Sequence, residues 1–258
     1  LWSIFDFVMP GFLGSAKAFI KNTLTPIQKH NDKEKLTALQ NKIELLILRR
    51  LKKTVLSELP DKIETPLYCE MGEKQEQVYQ YYLSKAQNDV RKEIHEKGFN
   101  KSRIKILTII TRLRQVCAHP SMFLDDYNGG SAKVDMLEEV LEEAIDGGHK
   151  ILLFSQFTSM LEIIKGILER KKIKHLYLHG GTKAKDRMDM VDEFSESDTS
   201  VFLLSLKAGG TGLNLTAADI VIHFDPWWNP SVENQATDRA YRFGQENKVQ
   251  VFQFIIRY

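Results

Sequence analysis

Residues 150–161 read Lys-Ile-Leu-Leu-Phe-Ser-Gln-Phe-Thr-Ser-Met-Leu, and this stretch decides the fold. Ile151–Ser155 is a short, continuous apolar run of strand length that ends in polar residues. Met160, Ile163, Ile164 and Ile167 then recur at three- and four-residue steps, the spacing of one helical face. A strand apolar at every position must be buried on both faces, which places 151–155 in a parallel sheet covered by helices on each side.

The same rhythm repeats downstream at Leu176–His179, Val201–Ser205, Ile220–Phe224 and Val249–Ile256. Five apolar runs separated by helices define the doubly wound α/β class from Ser131 onward. A helix over Ala132–Ala144 stops at Gly147-Gly148, where a left-handed C-cap is expected. Upstream the chain reads mostly helical. Leu36, Leu39, Ile43 and Leu46 share a helical face, and the basic run Arg49–Lys53 follows, stopped by Pro60. Ile63–Glu70 alternates loosely and suits a short strand. Residues 73–97 form a long polar helix carrying Tyr79, Tyr81 and Tyr82. A further helix with Ile104, Leu107, Ile110 and Leu113 runs to His119-Pro120, and Asp125–Gly130 is a turn-rich hinge.

Bulk properties exclude several classes. With 43% hydrophobic and 27% charged residues the chain is not disordered. Its formal charge of +2 means that any nucleic-acid contact must be local. Cys69 and Cys117 lie far apart without a CxxC pair, which argues against a disulfide scaffold or structural zinc and for a reducing, intracellular compartment. No apolar run approaches the ~18 residues of a membrane span, so no membrane partner is expected. The start, Leu1-Trp2-Ser3, has neither a signal peptide nor a Met, and reads as the inside of a longer protein.

In open parallel sheets, ligands gather outside the carboxyl ends of the strands. Five constellations fall there. Ser155 and Gln156 precede a helix N-terminus, suited to a phosphate or to plain capping. His179-Gly180-Gly181-Thr182-Lys183 is a glycine turn, with Thr182 and Lys183 against a DNA phosphate or Lys183 merely solvated. Lys207-Ala-Gly-Gly-Thr-Gly-Leu-Asn-Leu places Lys207, Gly209 and Gly210 in a loop whose backbone can approach a ligand closely. It lacks the Gly-Lys-Ser/Thr ending of a phosphate loop. Asp225-Pro-Trp-Trp-Asn-Pro230 sets two indoles between prolines, Trp227 expected to pack and Trp228 to be exposed for stacking or groove insertion. Finally, Gln235–Gln245 (QATDRAYRFGQ) carries Arg239 and Arg242. With Ser231 as the N-cap they would share a helical face, as a phosphoryl clamp or as partners of Asp238 or Glu233.

Taken in order, these segments resemble motifs IV, IVa, V, Va and VI of the Swi/Snf family of superfamily-two motors. Leu48–Pro60 is similar to that family's arginine–lysine block, and Leu113-Arg-Gln-Val-Cys-Ala-His-Pro120 to its helix before lobe two. The resemblance implies a RecA-like parallel sheet with flanking helices, preceded by a mostly helical region. It further implies a helical tail of motor lobe one over 1–70, a helical protrusion and linker over 71–130, and a RecA-like lobe two over 131–258. Arg239 and Arg242 would be trans-lobe catalytic arginines, and Gln235 and Gly210 would couple nucleotide to DNA. Ser155, Thr182, Lys183, Lys207 and Gly209 would meet backbone phosphates, and Trp228 would probe the groove. ATP and Mg2+ would be held mainly by lobe one, which carries the phosphate loop and the Asp-Glu-Ala-His motif missing here. On its own this chain would bind neither and would not hydrolyse ATP. The partners implied are double-stranded DNA, the N-terminal motor lobe and a DNA-bound protein target, in a bacterial nucleoid or a nucleus. A non-catalytic DNA- or partner-binding module and a strand-separating helicase lobe are the competing readings.

Overall fold

Ile151–Ser155 lies inside a six-stranded sheet whose strands all run parallel. In chain order the strands are β1 (Lys62–Glu70), β2 (Ile151–Ser155), β3 (His175–Leu178), β4 (Val201–Ser205), β5 (Ile220–His223) and β6 (Val249–Arg257). Their spatial order is β1-β6-β5-β2-β4-β3. The computed structural model describes residues 1–48, 59–208 and 212–257. It divides into two units, Leu1–Ser57 and Glu58–Tyr258. The basic run Arg49–Lys53 and most of the Leu48–Pro60 block lie outside the described residues.

In the first unit, α1 (Trp2–Val8) is tied down by the Trp2 indole N–H donating to the Gly14 carbonyl at 2.9 Å and by Phe5 stacking on Phe12. The short α2 (Ala16–Phe19) passes through a π turn, Ile20–Leu24, into α3 (Thr25–His30). Asn31 ends α3 in the left-handed region, and Asp32 accepts from the Lys35 N–H to start α4 (Lys33–Ile43). Leu36 and Leu46 of the expected apolar face are exposed.

The second unit opens with β1 and a helical pair, α5 (Glu73–Lys97) and α6 (Phe99–Ala118). Helices α7 (Ala132–Asp146), α8 (Thr158–Arg170), α9 (Ala184–Glu196) and α10 (Pro230–Thr237) then alternate with strands. Every position of β2 and β4 is buried. Ile151 and Leu153 face Leu137, Leu141, Ile164 and Leu168 of α7 and α8. Leu152 and Phe154 face the opposite layer, with Val191 and Phe194 of α9 and Ala236 of α10. Successive strand side chains point to opposite faces, so an all-apolar strand fills both layers, and each buried Leu, Ile or Phe contributes about 1.5–3 kcal/mol. The expected α/β class is what forms. Helix α7 ends as its glycines dictate, with Gly148 at a φ of 75°.

One boundary differs from expectation. β1 pairs with β6 along all nine positions, from Lys62 against Val249 to Glu70 against Arg257. It therefore forms the edge of the C-terminal sheet, not the close of a separate 1–70 segment. The pairing satisfies backbone N–H and C=O groups along one side of β6 and leaves β1 as the outer strand.

The α5–α6 pair is anchored at its base. Gln75, buried on α5, donates to the Val116 carbonyl at 2.9 Å and accepts from the Ala132 N–H at 3.1 Å. Ser131 donates to Ala118 O at 2.6 Å. Gln75→Ala strands a buried carbonyl and a partly buried N–H, so stability is expected to fall by about 1–3 kcal/mol. The denaturant midpoint of the chain reads this directly, and an unchanged midpoint would contradict the anchoring role. Among the described residues no helix is long and apolar enough to cross a membrane.

Candidate functional site

The carboxyl ends of β2, β4 and β5 lie side by side, and the chain leaves each in a loop rich in polar residues. Asp225, just beyond β5, is buried beneath this edge. Its carboxylate accepts from the Gln156 N–H at 3.2 and 3.3 Å. Lys133, buried at the start of α7, donates to the Phe224 carbonyl at 2.9 Å and the Phe254 carbonyl at 2.6 Å. Burial pushes Asp225 up to about 6, although the Ser155 hydroxyl, Lys133, the Gln156 N–H and Arg114 all favour its charged form. Dehydration likewise pulls Lys133 below the usual lysine range, with Asp225 opposing.

Ser155 is built into this framework. The residue is 2% exposed, and its hydroxyl accepts from the Phe157 N–H at 3.1 Å. The N–H groups of 156 and 157 are bound by the protein's own Asp225 and Ser155, so Ser155 shapes the turn that leads into α8.

Thr182 is half-buried, and its hydroxyl accepts from the His179 N–H at 3.2 Å to close the turn after β3. Lys183 is exposed at the N-terminus of α9, and Lys207 is exposed after β4. β4 separates β3 from β2, so Thr182 and Lys183 flank the central edge at one end of the sheet. Gly209 and Gly210 lie outside the described residues. Gly212, at the end of that loop, takes a φ of 60°, which glycine alone adopts freely.

Trp228 is 73% exposed, whereas Trp227 packs against the core, edge to face with it at 5.3 Å. The division expected from sequence holds. The helix start does not: Asn229 caps α10 by accepting from the Ser231 N–H at 3.1 Å, and Pro230 is the first helical residue. Proline suits that position because its missing N–H would have no helical partner there.

A larger departure concerns the arginines. α10 ends at Thr237, so Arg239 and Arg242 lie in the turn beyond it and share no helical face. Gln245 folds back into this turn, buried, and donates to Ala218 O at 2.8 Å and Ala240 O at 3.2 Å. Leu215 N–H donates to Arg239 O at 3.0 Å, joining the turn to the glycine loop. His223 meets the Thr237 hydroxyl at 2.9 Å beneath. The side-chain amide of Gln245 replaces the bonds a further helical turn would have made, and Gly244, at a φ of 94°, lets the chain reverse. Arg239 is half-buried and Arg242 exposed. Partial dehydration and then the Arg242 charge hold the Arg239 guanidinium below its usual range, with Asp238 opposing. Gln235 is exposed on α10.

Sequence reasoning missed the supports: Lys133, Asp225, Gln245 and Arg114. Most of their partners lie far away in sequence, where local spacing reveals nothing. Among the described residues no group of three or more His, Cys, Asp or Glu side chains could hold a metal ion.

A six-stranded parallel sheet with helices on both faces is a RecA-like fold. Residues 1–122 match the SNF2-related domain, and residues 132–244 match the helicase conserved C-terminal domain. A Mycoplasma genitalium protein named as the uncharacterized ATP-dependent helicase MG018 is 41% identical, over 100% of this chain and 24% of its own length. The SWI2/SNF2 ATPase core of Sulfolobus solfataricus, solved in complex with dsDNA, aligns at a TM-score of 0.65 and 37% identity, over 99% of this chain and 54% of that one. The C-terminal domain of that ATPase aligns at 0.62 and 34% identity, over 76% and 80% of the two chains. This chain belongs to the Swi/Snf family of helicase-like ATPases. It spans about a quarter of the length of the curated relatives it matches.

Proposed function

We propose that the chain is the second motor lobe, with its helical lead-in, of an ATP-driven translocase on double-stranded DNA. The observation that carries this reading is the arginine turn. Arg239 and Arg242 stand three residues apart on one turn, braced by Gln245 and by the Leu215 N–H at the end of the glycine loop. Planar guanidiniums donating to several oxygens at once stabilise a transferring phosphoryl group. The nucleotide and its Mg2+ would sit chiefly on a preceding lobe, with the arginines entering from across the cleft and Gln235 beside them.

Lys207, Lys183 and Thr182, together with Gly209, would follow the phosphates of one strand, Gly210 would help Gln235 couple nucleotide to DNA, and Trp228 would enter a groove. Closing the lobes on ATP and opening them after hydrolysis would then move one grip along the duplex, each closure being a population shift driven by contacts made only in the closed state. With its cleft incomplete, the isolated chain would hydrolyse no ATP.

The test uses the full-length protein. Duplex DNA is expected to stimulate ATP hydrolysis more strongly than single strands of equal length, with no strand separation in an unwinding assay. Stimulation should decline steeply with salt, since each neutralised phosphate releases counterions. Preference for single strands with unwinding would favour a strand-separating helicase. No ATPase under either condition would favour a non-catalytic binding module.

A further inference from the structure

Arg114, in the last turn of α6, reaches out of the helical pair into the edge of the sheet. Its guanidinium donates to the Gln156 side-chain carbonyl at 2.9 Å and to the Pro226 backbone carbonyl at 2.7 Å. The same group lies over the Trp227 ring at 5.0 Å and the Phe157 ring at 5.9 Å. One side chain thus joins the loop after β2 to the loop after β5, from a helix that belongs to neither. Dehydration lowers its pKa, and the charges of Asp225 and Glu233 oppose this.

The Gln156 amide nitrogen is buried with no hydrogen-bond partner among the described residues, so the Arg114 bond sets that side chain's direction. Trp227 is held from the other side, where its N–H donates to the Glu233 carboxylate. Trp228 projects from the next residue into solvent and packs edge to face on Trp227. A planar, bidentate cation suits this place, because it can satisfy two carbonyls in one plane while stacking on an indole. Lysine can do only part of that.

We propose that Arg114 is a positioning residue for the duplex-facing loop 225–229: it clamps Pro226 and Trp227 so that Trp228 is presented at a fixed height and angle. Through Arg114, the α5–α6 pair sets the geometry of that loop. Gln75 and Ser131 fix the base of the pair to the start of α7, so displacement of the helices is transmitted to the clamp. This inference rests on reading Trp228 as a DNA contact, and the experiment separates the two.

The full-length protein is compared with Arg114→Met, Arg114→Lys, Trp228→Ala and the double variant Arg114→Met/Trp228→Ala. Two quantities are read: the duplex concentration giving half-maximal ATPase, and turnover at saturating duplex. Arg114→Met is expected to raise the half-maximal concentration about tenfold while turnover changes less than about twofold, the pattern of a lost orienting contact. Arg114→Lys should fall between the two. Because Arg114 acts through the tryptophan, the double variant should be no worse than Trp228→Ala alone, whereas independent effects would multiply. Multiplying effects, or an Arg114→Met protein indistinguishable from the parent, would overturn the clamp while leaving Trp228 as a DNA contact. A Trp228→Ala protein with normal duplex dependence would overturn the DNA contact and the clamp with it. Should Arg114→Met fail to fold, Arg114→Lys alone and with Trp228→Ala supplies the same comparison.

Discussion

Replacing Arg242 by alanine in the full-length protein is expected to reduce duplex-stimulated ATP turnover by about 10³-fold or more, the scale on which a phosphoryl-clamping arginine acts. Arg242 is the sharper of the two arginines to test. It is exposed, and its loss removes no core packing. Arg239 is half-buried, so a change there mixes folding with chemistry. The melting temperature of Arg242→Ala should therefore match the parent while turnover collapses. Arg242→Lys should recover little, since an ammonium lacks the planar fork that meets two oxygens together. Turnover and thermal melting measured on the same preparations check both halves, and near-normal turnover in Arg242→Ala would remove the catalytic role of the turn.

The second large effect concerns two buried titratable groups of opposite sense. Asp225 is pushed up from 3.8 to about 6, and His223, buried against Phe154, is pulled down from 6.5 to about 4, each chiefly by burial. Between about pH 4 and 6 the folded chain keeps the Asp225 proton that the unfolded chain has released, so stability falls as pH rises. Over nearly the same range the unfolded chain protonates His223 while the folded chain keeps it neutral, so stability rises with pH. Each contributes ~3 kcal/mol across its window, and in the parent the two nearly cancel. Asp225→Asn removes the first alone. Its unfolding free energy in urea should then climb by ~3 kcal/mol from pH 4 to 6.5, whereas these two groups leave the parent within about 1 kcal/mol. A variant as flat as the parent would show that the two carry no such opposed shifts.

The residues differ in how openly their roles could be read. Trp227 and Trp228 were separable as packed and exposed because prolines fix their loop directly after a strand. The α/β class was legible from 151–161, since burial on both faces requires an apolar residue at every strand position. The bonds around Ser155 were not legible, because a strand end before a helix looks alike in sequence whether its N–H groups are free or bonded to Asp225 and Ser155. Arg239 and Arg242 have helical spacing without a helix, because Gln245 folds back from six positions beyond Arg239 to take the Ala240 carbonyl.

By itself, then, the sequence determined the layered parallel sheet, the family, and which segments crowd the carboxyl edge, all properties of local periodicity and motif order. Tertiary structure alone decided that 62–70 would close the edge beside β6, that the arginines would stand on a braced turn, and that Arg114 would clasp the tryptophan loop. The physical reason is distance along the chain. Arg114 meets Gln156 across 42 positions and Pro226 across 112, and Asp225 meets Gln156 across 69. Bonds of that span exist only once the sheet has brought its strand ends together.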